Sequence, residues 1–147
     1  MSTVTDEGNS TRIELSIPAQ PVLLQLVRLT AGVVAARGDL ELDDVEDLRL
    51  AVDELCLPLI GPTGHDGRLL VRYSWDDDTI EVSCTLAAGE AAGDTTSPPA
   101  GLRQELSSQI LDALVDEHGE TADDGRATLW LRMRRSRRPG GAAPTER

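Results

Sequence analysis

The chain contains no lysine, and all fourteen of its cations are arginine. That one-sidedness reads as the codon bias of a GC-rich bacterial genome. No apolar run approaches the roughly 18 residues that a membrane helix needs, and no basic-then-apolar stretch of the secretory kind opens the chain. A membrane partner is therefore excluded and a cytoplasmic location expected. Cysteine is scarce, with Cys56 in a helical apolar pattern and Cys84 in a strand-like one. Both suit small buried hydrophobes, and their spacing supports neither a metal site nor a disulfide framework. Cations are outnumbered so heavily that the formal charge is −12. This argues against direct nucleic-acid binding, which needs clustered cations, and favours a basic protein partner. What remains is 147 residues, 39% hydrophobic and 27% charged, the make-up of one globular domain.

Residues 1–10 are polar and expected to be disordered. Ile13, Leu15 and Ile17 alternate with Glu14 and Ser16, which predicts a half-buried strand closed by Pro18. Pro21 can open a helix whose apolar face comprises Leu23, Leu26, Val27, Ala31 and Val34, with Gly38 as its cap. A second helix follows, on which Leu48, Val52, Leu55 and Leu59 form one stripe. Asp47, Ala51, Glu54 and Pro58 line the adjoining flank. Leu69, Val71, Tyr73 and Trp75 then alternate as a strand. Asp76-Asp77-Asp78 turns it into another, carried by Ile80, Val82, Cys84 and Leu86, and the three aspartates read as a solvated turn. Residues 87–101 form a long loop of low hydrophobicity. Leu102, Leu106, Ile110, Ala113 and Leu114 make a third helical face ending near His118 and Gly119. A final strand runs from Arg126 to Arg134, before an Arg/Gly/Pro tail over 135–147.

Residues 39–54 hold eight acids against the lone Arg49. They read either as a solvated helix N-terminus favoured by the macrodipole or as a surface that steers a basic partner. Leu50 lies on the far side of the second helix near Glu46 and Asp53, so that side needs a cover, whether a second layer or a partner.

Three strings, Asp47–Cys56, Leu111–Glu117 and Gly125–Leu131, together resemble the GHKL (Bergerat-fold) ATPases, in the form of the actinobacterial anti-sigma factors of the RsbW type. The resemblance spans residues 11–134. It implies an α/β two-layer sandwich with a mixed, mostly antiparallel sheet and helices on one face. It also implies a homodimer that sequesters an alternative sigma factor, with an anti-sigma factor antagonist as a further partner. A family member active as a serine kinase uses ATP and Mg²⁺ to phosphorylate that antagonist.

The same resemblance assigns site residues. Glu54 stands where the family's Glu activates the phosphoryl acceptor, but the Asn four residues on, expected to help hold Mg²⁺, is Pro58. Asn9 is the single Asn in the chain. Leu86 stands near the slot of the adenine-recognising Asp, with Gly89 its one candidate glycine. Ser107 and Ser108 stand where a glycine motif would let backbone amides approach phosphate. With these motifs degraded, no cofactor is expected, and ATP and Mg²⁺ only under the kinase alternative. Partner binding is expected at Arg28, which matches a family contact position, and at Glu46, Leu50 and Asp53. Arg28 has the alternative of an ordinary solvated helix arginine.

Overall fold

A computed structural model describes residues 2–7, 10–87, 102–123 and 126–135. Its strands are β1 (Ser2–Glu7), β2 (Ser10–Pro18), β3 (Arg68–Trp75), β4 (Thr79–Ala87), β5 (Glu117–Asp123) and β6 (Arg126–Arg134). The helices are α1 (Leu24–Arg37), entered through a 3₁₀ turn at Pro21–Leu23, α2 (Leu42–Ile60) and α3 (Leu102–Leu114). The six strands form one sheet in the order β1-β2-β3-β4-β6-β5. All five pairings are antiparallel, so the sheet is not the mixed one expected.

Period-two alternation sets the two faces of the sheet. Ile17, Leu69, Val71, Tyr73, Ile80, Val82, Cys84, Leu131 and Met133 point to one side and are buried there. The three helices cover that side, with α2 in the middle touching both α1 and α3. Its stripe is buried as read, with Leu48 and Val52 inaccessible and Leu55 and Leu59 nearly so. Side chains of this size contribute about 2 kcal/mol each when fully buried. Tyr73 adds a polar anchor in this layer, its hydroxyl donating to the Val27 carbonyl at 2.9 Å. Burial, with the neighbouring Cys56 and Cys84 thiols, pushes that phenol well above its ordinary value.

Several expectations are corrected. The segment 1–10, read as disordered, contributes the backbone of β1, which pairs with β2 from Ser2 opposite Leu15 to Glu7 opposite Ser10. Its polar residues carry no burial pattern to reveal it. Helix α3 ends at Leu114, and His118 and Gly119 lie inside β5, hairpin partner of β6. Helix α1 buries Leu24, Val27, Ala31, Val34 and Ala35, while Leu26 turns outward in a row with Val22, Leu29 and Val33. Helix α3 is likewise rotated, burying Ser107 and Leu111 and exposing Leu106 and Ile110. Helix α2 runs past Pro58 to Ile60, where Gly61 at φ 76° caps it.

Two tight junctions fix the ends of the sheet. After α1 the left-handed residue is Asp39 (φ 54°), not Gly38. Gly38 serves close approach, since a side chain there would meet Ile80 at 3.3 Å. Arg135, expected in the tail, donates to the carbonyls of Gly38 and Asp76 and so ties the end of β6 to both corners. Residues 88–101 and 136–147 lie outside the described residues. Asp76 organises the β3–β4 turn by accepting from the amides of Asp78 and Thr79, each at 2.8 Å. Those backbone donors hold its carboxyl below the usual aspartate range. Because the folded state lowers this pKa, the contribution is present above the unfolded value and is lost as pH falls through the folded one. Among the described residues no helix is long and apolar enough to cross a membrane.

Tyr73→Phe should lower stability by about 1 kcal/mol, the net worth of one buried hydrogen bond. Urea unfolding with an unchanged m-value checks this, and an unchanged midpoint would show that the bond is not formed.

Candidate functional site

The flank of α2 that is not buried on the sheet forms one wall of a cleft of about 560 Å³. Glu54, Leu55 and Pro58 supply that wall. Glu105, Ser107, Ser108 and Leu111 of α3 face it, and His118, Gly119 and Glu120 of β5 with Leu129 of β6 complete the lining. Helical spacing puts Glu54 and Pro58 one turn apart on this wall. Ser107, 5% exposed, donates from its hydroxyl to Glu54 Oε1 at 3.2 Å and so bridges α3 to α2. His118 Nε2 sits 2.6 Å from Asp112 Oδ1, which links β5 to α3 beside the same cleft.

Of the residues singled out in the sequence, Glu54, Pro58, Ser107 and Ser108 are brought together here. Leu86 is half-buried against the core and does not line the cleft. Gly89 lies outside the described residues. The sequence reading missed Glu105, His118 and Glu120. The last two come from β5, whose one sequence signal was the Asp124-Gly125 pair, a favoured hairpin dipeptide, between it and β6.

The chemistry of this lining fits a magnesium triphosphate poorly. Glu54, Glu105 and Glu120 are carboxylates, and His118 is the one lining side chain, among the described residues, able to carry positive charge. Three carboxylates facing a polyanion at close range are repulsive. Pro58 is buried and presents an apolar ring to the cleft, and its missing N–H leaves the Glu54 carbonyl without its helical partner. No three His, Cys, Asp or Glu side chains among the described residues are grouped to hold a metal ion. The cleft is instead suited to neutral or cationic groups that donate hydrogen bonds to carboxylates and hydroxyls.

The second set of residues lies on the outer side of the helices. Arg28 Nη1 of α1 donates to Asp53 Oδ2 of α2 at 2.7 Å, so these two named positions form one ion pair. The other oxygen, Asp53 Oδ1, is buried with no hydrogen-bond partner among the described residues. Glu46 pairs loosely with Arg49 at 3.6 Å, and Leu50, next to Arg49, is 55% exposed. No layer among the described residues covers Leu50. Leu29 and Val33 of α1 are also more than half exposed.

No family model matches the chain. Curated relatives do. A Bacillus pumilus protein named serine-protein kinase RsbW is 36% identical over 75 residues, covering 48% of this chain and 46% of its own length. The Bacillus velezensis protein of the same name is 40% identical over 73 residues, with the same coverage of each. The Mycobacterium tuberculosis anti-sigma-F factor RsbW is 37% identical over 116 residues, covering 78% of this chain and 63% of its own. The match thus spans about half the length of these two Bacillus relatives.

Removing the Arg28 side chain strands a partly buried carboxylate. Arg28→Ala should cost about 0.5–1 kcal/mol, since the pair is partly exposed and screened. Chemical denaturation checks this, and a loss below about 0.2 kcal/mol would show that the pair contributes nothing to the fold.

Proposed function

This chain belongs to the RsbW-type family, and from that premise we propose that it is an anti-sigma factor. It sequesters an alternative RNA polymerase sigma factor by direct binding, as a homodimer and without dependence on nucleotide chemistry. The observation that carries this reading is Pro58. It stands on the wall of the Glu54 cleft in the position that the resemblance gives to a metal-holding Asn. Glu54 retains a hydroxyl neighbour in Ser107, yet a general base also needs a held γ-phosphate beside its acceptor. Among the described residues the lining offers no cation for that phosphate apart from His118, and two further carboxylates oppose it.

Sequestration needs only surface complementarity, and the outer side of α1 and α2 supplies the elements of an interface. Exposed apolar side chains at Leu29, Val33 and Leu50 flank the Arg28–Asp53 pair. Arginine and apolar anchors at the centre of a patch, rimmed by charge, are the usual composition of a binding hot spot. The acids of the connector and of α2, from Asp39 to Asp53, then steer a basic partner toward that centre.

The second reading is an active serine kinase that phosphorylates an antagonist of the anti-sigma factor, which the names of the Bacillus relatives favour. The two part on Glu54. Under sequestration Glu54→Ala leaves sigma-factor affinity within about twofold, and the parent transfers no phosphate from Mg·ATP to a bound antagonist. Phosphotransfer that Glu54→Ala abolishes would establish the kinase instead.

Association with the sigma factor should be fast at low salt, with an on-rate that falls as ionic strength rises, because steering acts over roughly 10 Å at 0.1 M salt. The off-rate should change less. Stopped-flow association that is flat with salt would remove the acidic surface from the encounter. Arg28→Ala should weaken binding at least about tenfold, the loss typical of a buried interfacial arginine. An affinity within twofold of the parent would remove Arg28 from the interface.

A further inference from the structure

Among the described residues nothing covers the sheet face opposite the helices, and the net charge of its described side chains is opposite in sign to that of the other described side chains. Cross-strand register assigns it residue by residue. One row runs Arg12, Ser74, Glu81, Arg132, Glu117, and the next runs Glu14, Arg72, Ser83, Trp130, Gly119. Beyond these lie Leu70, Thr85, Thr128 and Thr121, and Arg68, Arg126 and Arg134 occupy the ends of their strands on the same face. Among the described side chains this face holds six arginines and three carboxylates, Glu14, Glu81 and Glu117. All other described side chains together hold four arginines and sixteen carboxylates.

The carboxylates of the face are already engaged. Glu14 takes Arg72 at 2.7 Å, and Glu81 and Glu117 both take Arg132, at 2.8 and 2.9 Å, while that guanidinium stacks over Trp130. Arg12, Arg126 and Arg134 are exposed and pair with no described carboxylate, with Asp123 standing opposite Arg126 in the register. Arg68 donates only to the hydroxyl and carbonyl of Ser16. Between them the surface is kept low by Ser83, Thr85, Thr128 and Gly119. Trp130 lies flat on Gly119, where any side chain would meet the indole at 2.9 Å.

We propose that this uncovered sheet face docks a short acidic segment of a partner protein, whose carboxylates pair with Arg12, Arg68, Arg126 and Arg134. Guanidinium groups suit this task because their planar donor forks match carboxylate geometry. The size of the face selects a short segment over a nucleic acid. Five strands about 4.8 Å apart and about 27 Å long hold an extended peptide of roughly eight residues. A longer polyanion would overrun the face into a molecule of charge −12. The surface lies on the other layer from Arg28 and Leu50, so it is open whether or not the helices are engaged.

The test uses the full chain with two fluorescein-labelled probes, a Glu/Ser peptide of roughly ten residues and a single-stranded oligonucleotide of equal charge, in about 50 mM salt. Anisotropy should show peptide binding that weakens about tenfold or more in Arg12→Ser/Arg68→Ser/Arg126→Ser/Arg134→Ser and is unchanged in Arg37→Ser/Arg49→Ser on the helical layer. In the unsubstituted protein, amide shifts on peptide addition should map to β2, β3, β4 and β6, a readout independent of how the variant folds. Absence of peptide binding, equal loss in the two variants, or shifts confined to the helices would overturn the proposal. Tighter binding of the oligonucleotide would overturn it too, by giving the face to nucleic acid.

Discussion

Everything functional in this protein depends on how one helix is seated. The stripe Leu48, Val52, Leu55 and Leu59 presses α2 onto the middle of the sheet, between α1 and α3. Once that stripe is down, 3.6-residue periodicity leaves no freedom for the rest. Glu54 and Pro58 face the cleft beside α3, while Asp53, about 100° round the helix from Glu54, faces α1 and meets Arg28. A single rotational setting thus separates a cleft from a surface, and the two inherit different chemistry from the same nineteen-residue helix.

Among the described residues the cleft side carries three carboxylates, a charge unfavourable to phosphate. Pro58 presents an apolar ring to the cleft, and Glu105 and Glu120 add negative charge to that of Glu54. Glu54 nevertheless keeps a hydrogen bond from the nearly inaccessible Ser107, and this bond links α2 to α3. A structural task for Glu54 is therefore compatible with a site that performs no transfer. The outer side follows the opposite course. There Arg28 and Asp53 are joined, and Leu29, Val33 and Leu50 stay exposed beside them.

Most of the core was legible because burial on one face leaves a periodic trace. The strands β2, β3, β4 and β6 and the stripe of α2 all carry it. The edge strands do not. Ser2–Glu7 and Glu117–Asp123 are set by backbone pairing with a neighbour, and their sequences carry no apolar alternation. Missing β5 meant missing His118 and Glu120, half of the charge that decides what the cleft can hold. The faces of α1 and α3 were misjudged for another reason. Each has more apolar residues than its buried stripe uses, so Leu26, Leu106 and Ile110 matched a helical period while pointing to solvent. The Arg28–Asp53 pair joins positions 25 apart, and no local pattern could have matched them. The charge of the open sheet face was hidden in the same way, since −12 averages over two layers of opposite sign.

The central claim is that the Glu54 cleft no longer holds a nucleotide triphosphate, and calorimetric titration of ATP with and without Mg²⁺ addresses it directly. The account predicts no saturable heat in either condition up to about 1 mM nucleotide, a binding free energy weaker than about 4 kcal/mol. A metal-dependent isotherm with micromolar affinity, lost in Glu54→Ala, would contradict it.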